Sequence, residues 1–226
     1  FLFPFMDEFP NYQHFDEALS PAHKRRIMTF YKSMLQRHMY ATGKKYFVAK
    51  NPAFSAKIET LMEFFPEARI IYLVRNPLDM LPSTVSWINY ARRQFTDPRE
   101  TWLYLDEIVD MTQHWYRHPL QYLDSHPSPR NLILNYDDLI QRPEAVLRAF
   151  YEQFGYPDKP GLDVIVDEAV KETLSFNSDH VYSYKEMGFT REQIIGLYAD
   201  IFERFGFDTR EDEAARVEVE NIHATD

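Results

Sequence analysis

Apolar positions along this 226-residue chain follow two different spacings, and the switches between them mark the elements. Ser20-Pro21 supplies a cap and a first-turn proline for a helix running to about Thr42, where Gly43 stops it. The short, β-branched and aromatic run KKYFVAK then predicts a strand ending at Lys50-Asn51-Pro52. From Ser55 to Phe65, Ile58, Leu61, Met62 and Phe65 recur at helical spacing until Pro66. ARIIYLV is a continuous apolar run, as expected of a strand buried on both faces. Strand, helix, strand predicts a right-handed parallel βαβ unit.

Pro77 opens a long helix to about Gln94, and a second, from near Asp97-Pro98, carries Trp102, Leu105, Ile108, Met111 and Trp115 along one face. His126-Pro127-Ser128-Pro129 breaks the chain before NLILNY, another expected buried strand. Helices follow from about Pro143 to Phe154, from Leu162 to Leu174, and from Thr190 to about Phe205. The last starts with a Thr-x-x-Gln capping box and ends at Gly206. The opening Phe-Leu-Phe-Pro-Phe reads as apolar and irregular, and the tail EDEAARVEVENIHATD as a loose helix or disorder. The order of elements predicts one α/β domain over residues 1–226, with a mostly parallel sheet flanked by helices.

Composition narrows the class. Apolar residues at 45% predict a filled interior, and a net charge of −10 disfavours nonspecific binding to nucleic acid. With no cysteine, disulfides, thiolate nucleophiles and thiolate metal sites are excluded. No run approaches the roughly 20 apolar residues that span a bilayer, so the visible chain is expected to be soluble, with a cytoplasmic location as the working expectation.

Three predicted strands end in polar residues: Lys50, Arg75, and Tyr136 followed by Asp137 and Asp138. A parallel sheet would gather these at its carboxyl edge, where open α/β folds bind ligands. Arg75 precedes Asn76, a good cap, and Pro77, so a guanidinium lies beside a helix amino terminus, which suits an anion. Ser83 stands two helical turns beyond the cap on the same face, and Ser86 extends the polar stripe. The plainer alternative is that Arg75 pairs with Asp79 and that Ser83 eases packing.

The segments KNPAFSAKIETLMEFFPEARIIYLVRNPLDMLPSTVSW, LILNYDDLIQRPEAVLRAFYEQFGY and HVYSYKEMGFTREQI resemble the carboxyl two-thirds of a sulfotransferase domain that uses 3′-phosphoadenosine 5′-phosphosulfate (PAPS). The bacterial-type branch is the nearest in character, over roughly residues 45 to 206, and Arg75 with Ser83 is the most specific piece. The resemblance implies a P-loop NTPase-like fold and in-line transfer of a sulfuryl group from PAPS to an acceptor hydroxyl or amine. The acceptor is expected to be a small molecule, glycan or lipid. It implies that Arg75 and Ser83 hold the donor's 3′-phosphate, that Tyr136 lines the adenine pocket, and that Lys50 steadies the sulfuryl group. The HVYSYKEMGF segment resembles a loop that folds over the nucleotide.

Two departures stand out. Pro52 occupies the position where cytosolic members often carry a histidine, so no base transfers there. The glycine-containing phosphosulfate loop has no counterpart among the six glycines of this chain, and is expected upstream of Phe1. Asp7, Glu8, His14 and His38 are candidate bases, with none singled out. His114 and His118 have two-histidine metal spacing, but HWYRH lacks the zincin glutamate and offers no evident third ligand, so no metal is implied. The rivals are a nucleotide or small-molecule kinase of related topology, which needs a glycine loop and magnesium-binding acids, and a noncatalytic binding domain that lost the loop.

Overall fold

Two short strands, β1 (Ile70–Val74) and β2 (Asn131–Asn135), pair in parallel, with Ile70 opposite Asn131 and Val74 opposite Asn135. The computed structural model describes residues 10–94, 104–156, 161–175 and 184–209, and among these the sheet has two strands. A parallel pair needs a long crossover. Here it consists of α5 (Pro77–Arg93), α6 (Leu105–Ser125) and the chain between them.

The amino-terminal part holds α1 (Pro10–Gln13), α2 (Phe15–Ala18), α3 (Pro21–Thr42), a 3₁₀ turn at Pro52–Lys57 and α4 (Ile58–Phe64). As predicted, the Ser20 hydroxyl accepts from the His23 amide and Gly43 ends α3 at a φ of 64°, the left-handed conformation a β-carbon disfavours. After β2 come α7 (Tyr136–Gln141), α8 (Pro143–Gln153), α9 (Leu162–Ser175), α10 (Arg191–Leu197) and α11 (Ala199–Phe205).

The core forms where β1 and α5 (Val74, Leu81, Val85, Ile88) meet α6 (Ile108, Met111, Tyr116, Leu120) and the α10–α11 pair (Ile194, Tyr198, Ile201, Phe202). The α6 residues recur at helical spacing, which is why the sequence pattern found them. The Tyr198, Thr112 and Tyr72 hydroxyls are matched inside. The Tyr198 hydroxyl meets Thr112 Oγ1 at 2.6 Å, and Thr112 itself donates to the Ile108 carbonyl at 2.7 Å. The Tyr72 hydroxyl donates to the Trp115 carbonyl at 2.7 Å, while the Trp115 indole donates to the Gln13 carbonyl at 3.1 Å. Outside the core, Arg117 on α6 forks onto Asp200, and Arg204 on α11 onto Asp124.

Four sequence expectations need correction. KKYFVAK is not a strand: residues 44–50 make no ladder and are exposed throughout, with Val48 91% accessible. A strand exists only against a partner, and among the described residues neither sheet edge receives this segment. The βαβ unit expected from it is therefore absent there. Second, β1 is not buried on both faces, because Ile71 (45%) and Leu73 (41%) are accessible while Val74 is fully buried. Third, the helix expected from Ser55 begins as the 3₁₀ turn, capped by Asn51, whose side chain accepts from the Ala53 amide at 3.0 Å. Fourth, the helix from Thr190 breaks at Tyr198, just after the weak helix former Gly196. Its predicted capping box, Thr190 with Gln193, is present. The opening apolar segment, Trp102, the start of HVYSYKEMGF and the tail from residue 210 lie outside the described residues.

Candidate functional site

Strand register builds the site. Val74 and Asn135 close the ladder, so the next residues of each chain, Arg75 and the one leading into α7, emerge side by side at the carboxyl edge. The Arg75 guanidinium lies 5.3 Å from the centre of the Tyr136 ring, a cation–π distance. The turn beyond Arg75 is fixed by Asn76, whose side chain accepts from the Leu78 amide at 3.0 Å and whose carbonyl accepts from Met80 at 2.9 Å. Asn135 repeats the device for α7, accepting from the Asp137 amide at 2.9 Å. From beneath, the buried Tyr116 hydroxyl donates to the Arg75 carbonyl at 2.5 Å; burial pushes that phenol's pKa well up, so it stays a donor.

Arg75 is half-buried, and its Nε is buried with no hydrogen-bond partner among the described residues. It makes no ion pair with Asp79 there, so the plain pairing considered for this arginine is not formed. A desolvated donor on a cation is costly, and an anion set against it would offset that cost. The field is mixed, however. Burial and the neighbouring Asp79 push the Asp137 carboxyl above its ordinary range, with Arg75 pulling the other way.

Ser83 lies in α5 directly after the buried Pro82, two turns past Asn76 and half-buried. Among the described residues its hydroxyl forms no hydrogen bond, in contrast to Thr112 and Ser125, which fold back onto the carbonyls of their own helix. Arg75 and Tyr136 thus share the carboxyl end of the sheet, and Ser83 lies two turns along the helix that leaves it.

Lys50 is not part of a strand end. It is exposed and lines a groove between α3 and the 3₁₀ turn, together with Met28, Tyr31, Met34, Phe54 and Lys57. Lys57 is the cation that sequence reasoning missed here. Its ammonium sits 4.8 Å over the Phe15 ring, and burial lowers its pKa against the opposing pull of Asp16. Only its place after a predicted strand and an Asn-Pro turn could have drawn attention to it.

Of the candidate bases, His38 is exposed on α3, with its ring 5.7 Å from that of Phe47. His14 instead joins a polar knot where α2 meets α6. Its Nε2 meets Asp110 at 2.7 Å, and its ring lies 4.1 Å from that of His114, which stacks on His118 at 4.9 Å. Burial and the nearby His14 lower the pKa of His114. His118 meets the almost fully buried Asp16 at 2.9 Å. Burial opposes charge on both members of that pair. Their mutual hydrogen bond prevails, raising the pKa of His118 and, with the donors of Glu59 and Thr60, lowering that of Asp16.

Comparisons with known proteins agree on one family. The Sulfotransferase family profile matches residues 4–160. The omega-hydroxy-beta-dihydromenaquinone-9 sulfotransferases Stf3 of Mycobacterium bovis and Mycobacterium tuberculosis are each 26% identical over 196 residues. Each alignment covers 86% of this chain and 48% of the relative, so the chain spans about half the length of the curated relatives it matches. The crystal structure of sulfotransferase STF9 from Mycobacterium avium superposes with a TM-score of 0.62 at 19% identity, covering 70% of this chain and 41% of that one. That likeness supports the α/β sulfotransferase fold expected from the sequence.

Proposed function

We propose, because this chain belongs to the sulfotransferase family, that it is one domain of an enzyme transferring a sulfuryl group from PAPS to an acceptor hydroxyl. The observation that carries the reading is Arg75: a guanidinium at the carboxyl end of a parallel strand, with a desolvated Nε that has no partner among the described residues and the Tyr136 ring 5.3 Å away. These features fit a nucleotide bearing a ribose phosphate. Arg75 would take the 3′-phosphate in charge-assisted hydrogen bonds, Ser83 would donate to the same group, and Tyr136 would hold the guanidinium flat and border the base.

The bound donor supplies an activated sulfur–oxygen bond. The acceptor oxygen attacks sulfur in line, the bond to the bridging oxygen breaks, and adenosine 3′,5′-bisphosphate leaves while the acceptor proton passes to a base. Lys50 is the residue we assign to the charge that gathers on the bridging oxygen. Its present place, exposed at the mouth of a groove, requires the 44–50 segment to move toward Arg75 when donor binds.

An apolar acceptor carrying a hydroxyl fits best. The mycobacterial relatives are named for a hydroxylated dihydromenaquinone, and beside Lys50 this chain exposes Phe30 (65%), Met34 (51%) and Val48 (91%). Among the described residues no helix is long and apolar enough to cross a membrane.

Calorimetry of the intact protein with adenosine 3′,5′-bisphosphate and adenosine 5′-monophosphate tests the donor site. The bisphosphate is expected to bind tighter, and Arg75→Ala to remove about 1.5–3 kcal/mol of the difference. Equal affinity for the two nucleotides would overturn the assignment.

A further inference from the structure

The knot between α2 and α6 supplies what the sequence lacked, two further groups beside one histidine of HWYRH: His14 and Glu17 gather at His114, while His118 stays paired with Asp16. Glu17 on α2 brings a carboxylate oxygen to 3.5 Å from His14 Nδ1 and 3.9 Å from His114 Nδ1. One donor atom from each of His14, Glu17 and His114 lies within 4.8 Å of the other two. We propose that His14, Glu17 and His114 form a binding site for a divalent transition-metal cation of the zinc class, with Asp110 orienting His14. The proposal is independent of the sulfuryl-transfer reading.

Three features of the geometry support a cation. Ligands of a tetrahedral zinc at about 2.0–2.2 Å stand roughly 3.4 Å apart, so the 3.5 and 3.9 Å approaches need little change. The adjustment falls on Glu17, whose side chain is 60% exposed and able to swing, while His114 at 10% is held by packing. Next, Asp110 takes the Nε2 edge of His14 at 2.7 Å, so that the neutral imidazole with its proton on Nε2 turns the Nδ1 lone pair toward Glu17. A carboxylate behind a ligating imidazole is the usual supporting arrangement, because it fixes the tautomer and raises the basicity of the ligand.

Finally, hydrogen bonding does not account for His114. Its Nε2 is buried without a partner among the described residues, and its Nδ1 is too far from Glu17 for a hydrogen bond. Two nitrogens and one oxygen leave a fourth position for water on the exposed side of Glu17. The set suits zinc, whereas magnesium or calcium would want oxygen ligands throughout. A cation here would rivet α2 to α6.

The test is zinc titration calorimetry of the intact protein after dialysis against a chelator, with cobalt absorption as a second readout. Expected are one zinc per chain, a rise in melting temperature with zinc, and ligand-field bands with cobalt. Glu17→Gln and His14→Ala should each weaken zinc binding at least tenfold, and Asp110→Asn by about 10–100-fold. His126→Ala, an exposed histidine outside the knot, should bind as the parent does. Glu17→Gln preserves size at an exposed position, so its circular dichroism should match the parent and exclude misfolding as the cause. Absence of zinc uptake by the parent protein, or parental affinity in both Glu17→Gln and His14→Ala, would overturn the site.

Discussion

The guanidinium carbon of Arg75 lies 5.3 Å from the centre of the Tyr136 ring, and the two residues meet because each directly follows one of two adjacent parallel strands. Tyr136→Phe keeps the ring and should leave bisphosphate affinity within about 0.5 kcal/mol, whereas Tyr136→Ala should cost about 0.5–2 kcal/mol. Calorimetry on both variants separates ring from hydroxyl, and equal losses would argue for a hydroxyl contact instead.

Ser83 offers a hydroxyl with no hydrogen bond among the described residues, midway along α5. Ser83→Ala is expected to weaken adenosine 3′,5′-bisphosphate binding by about 0.5–1.5 kcal/mol while leaving the melting temperature unchanged. A fall in melting temperature with unaltered affinity would assign the residue to packing.

The Asp16–His118 pair sets an expected pH profile for stability. Asp16 is held below its ordinary value of 3.8, so its contribution is present above that value and is lost as pH falls through the lowered one. His118 is raised above 6.5, so its contribution is full below 6.5 and is lost as pH rises through the raised value. Melting temperature against pH should therefore show a plateau between these limits. His118→Ala should remove the alkaline shoulder, and Asp16→Ala should cost about 1–3 kcal/mol by stranding the Glu59 and Thr60 amides that donate to it. An alkaline limb unchanged in His118→Ala would mean that other groups set it.

Thr112 and Tyr198 should respond unequally to deletion of their shared hydrogen bond. In Tyr198→Phe, Thr112 still donates to Ile108, so the loss should be about 1 kcal/mol. Thr112→Val strands a buried phenol and should cost more, about 1–3 kcal/mol. Denaturant unfolding measures both, and the reverse order would show that Tyr198 finds another acceptor.

Helices with strong local signals were legible in the sequence. Ser20-Pro21 and Gly43 bound α3 as read, Pro77 starts α5, and Thr190 with Gln193 forms its box, because capping is decided within a few residues. Arg75 and Tyr136 were also placed correctly at one edge, since parallel pairing of two apolar runs brings their carboxyl ends together. KKYFVAK failed because strand propensity is a demand for a neighbour, and neighbours are not written locally. The histidine knot was invisible for a related reason: His14 and Glu17 meet His114 across nearly a hundred residues, and only the docking of α2 on α6 makes them a group.

Trp115 spans the seam between the amino-terminal segment and β1, its indole tied to Gln13 and its carbonyl to Tyr72. The molecule thus carries its own optical gauge. With Trp87 and Trp102 replaced by phenylalanine, emission from the remaining indole would shift to the red when that seam parts, reporting the event in real time without any attached dye.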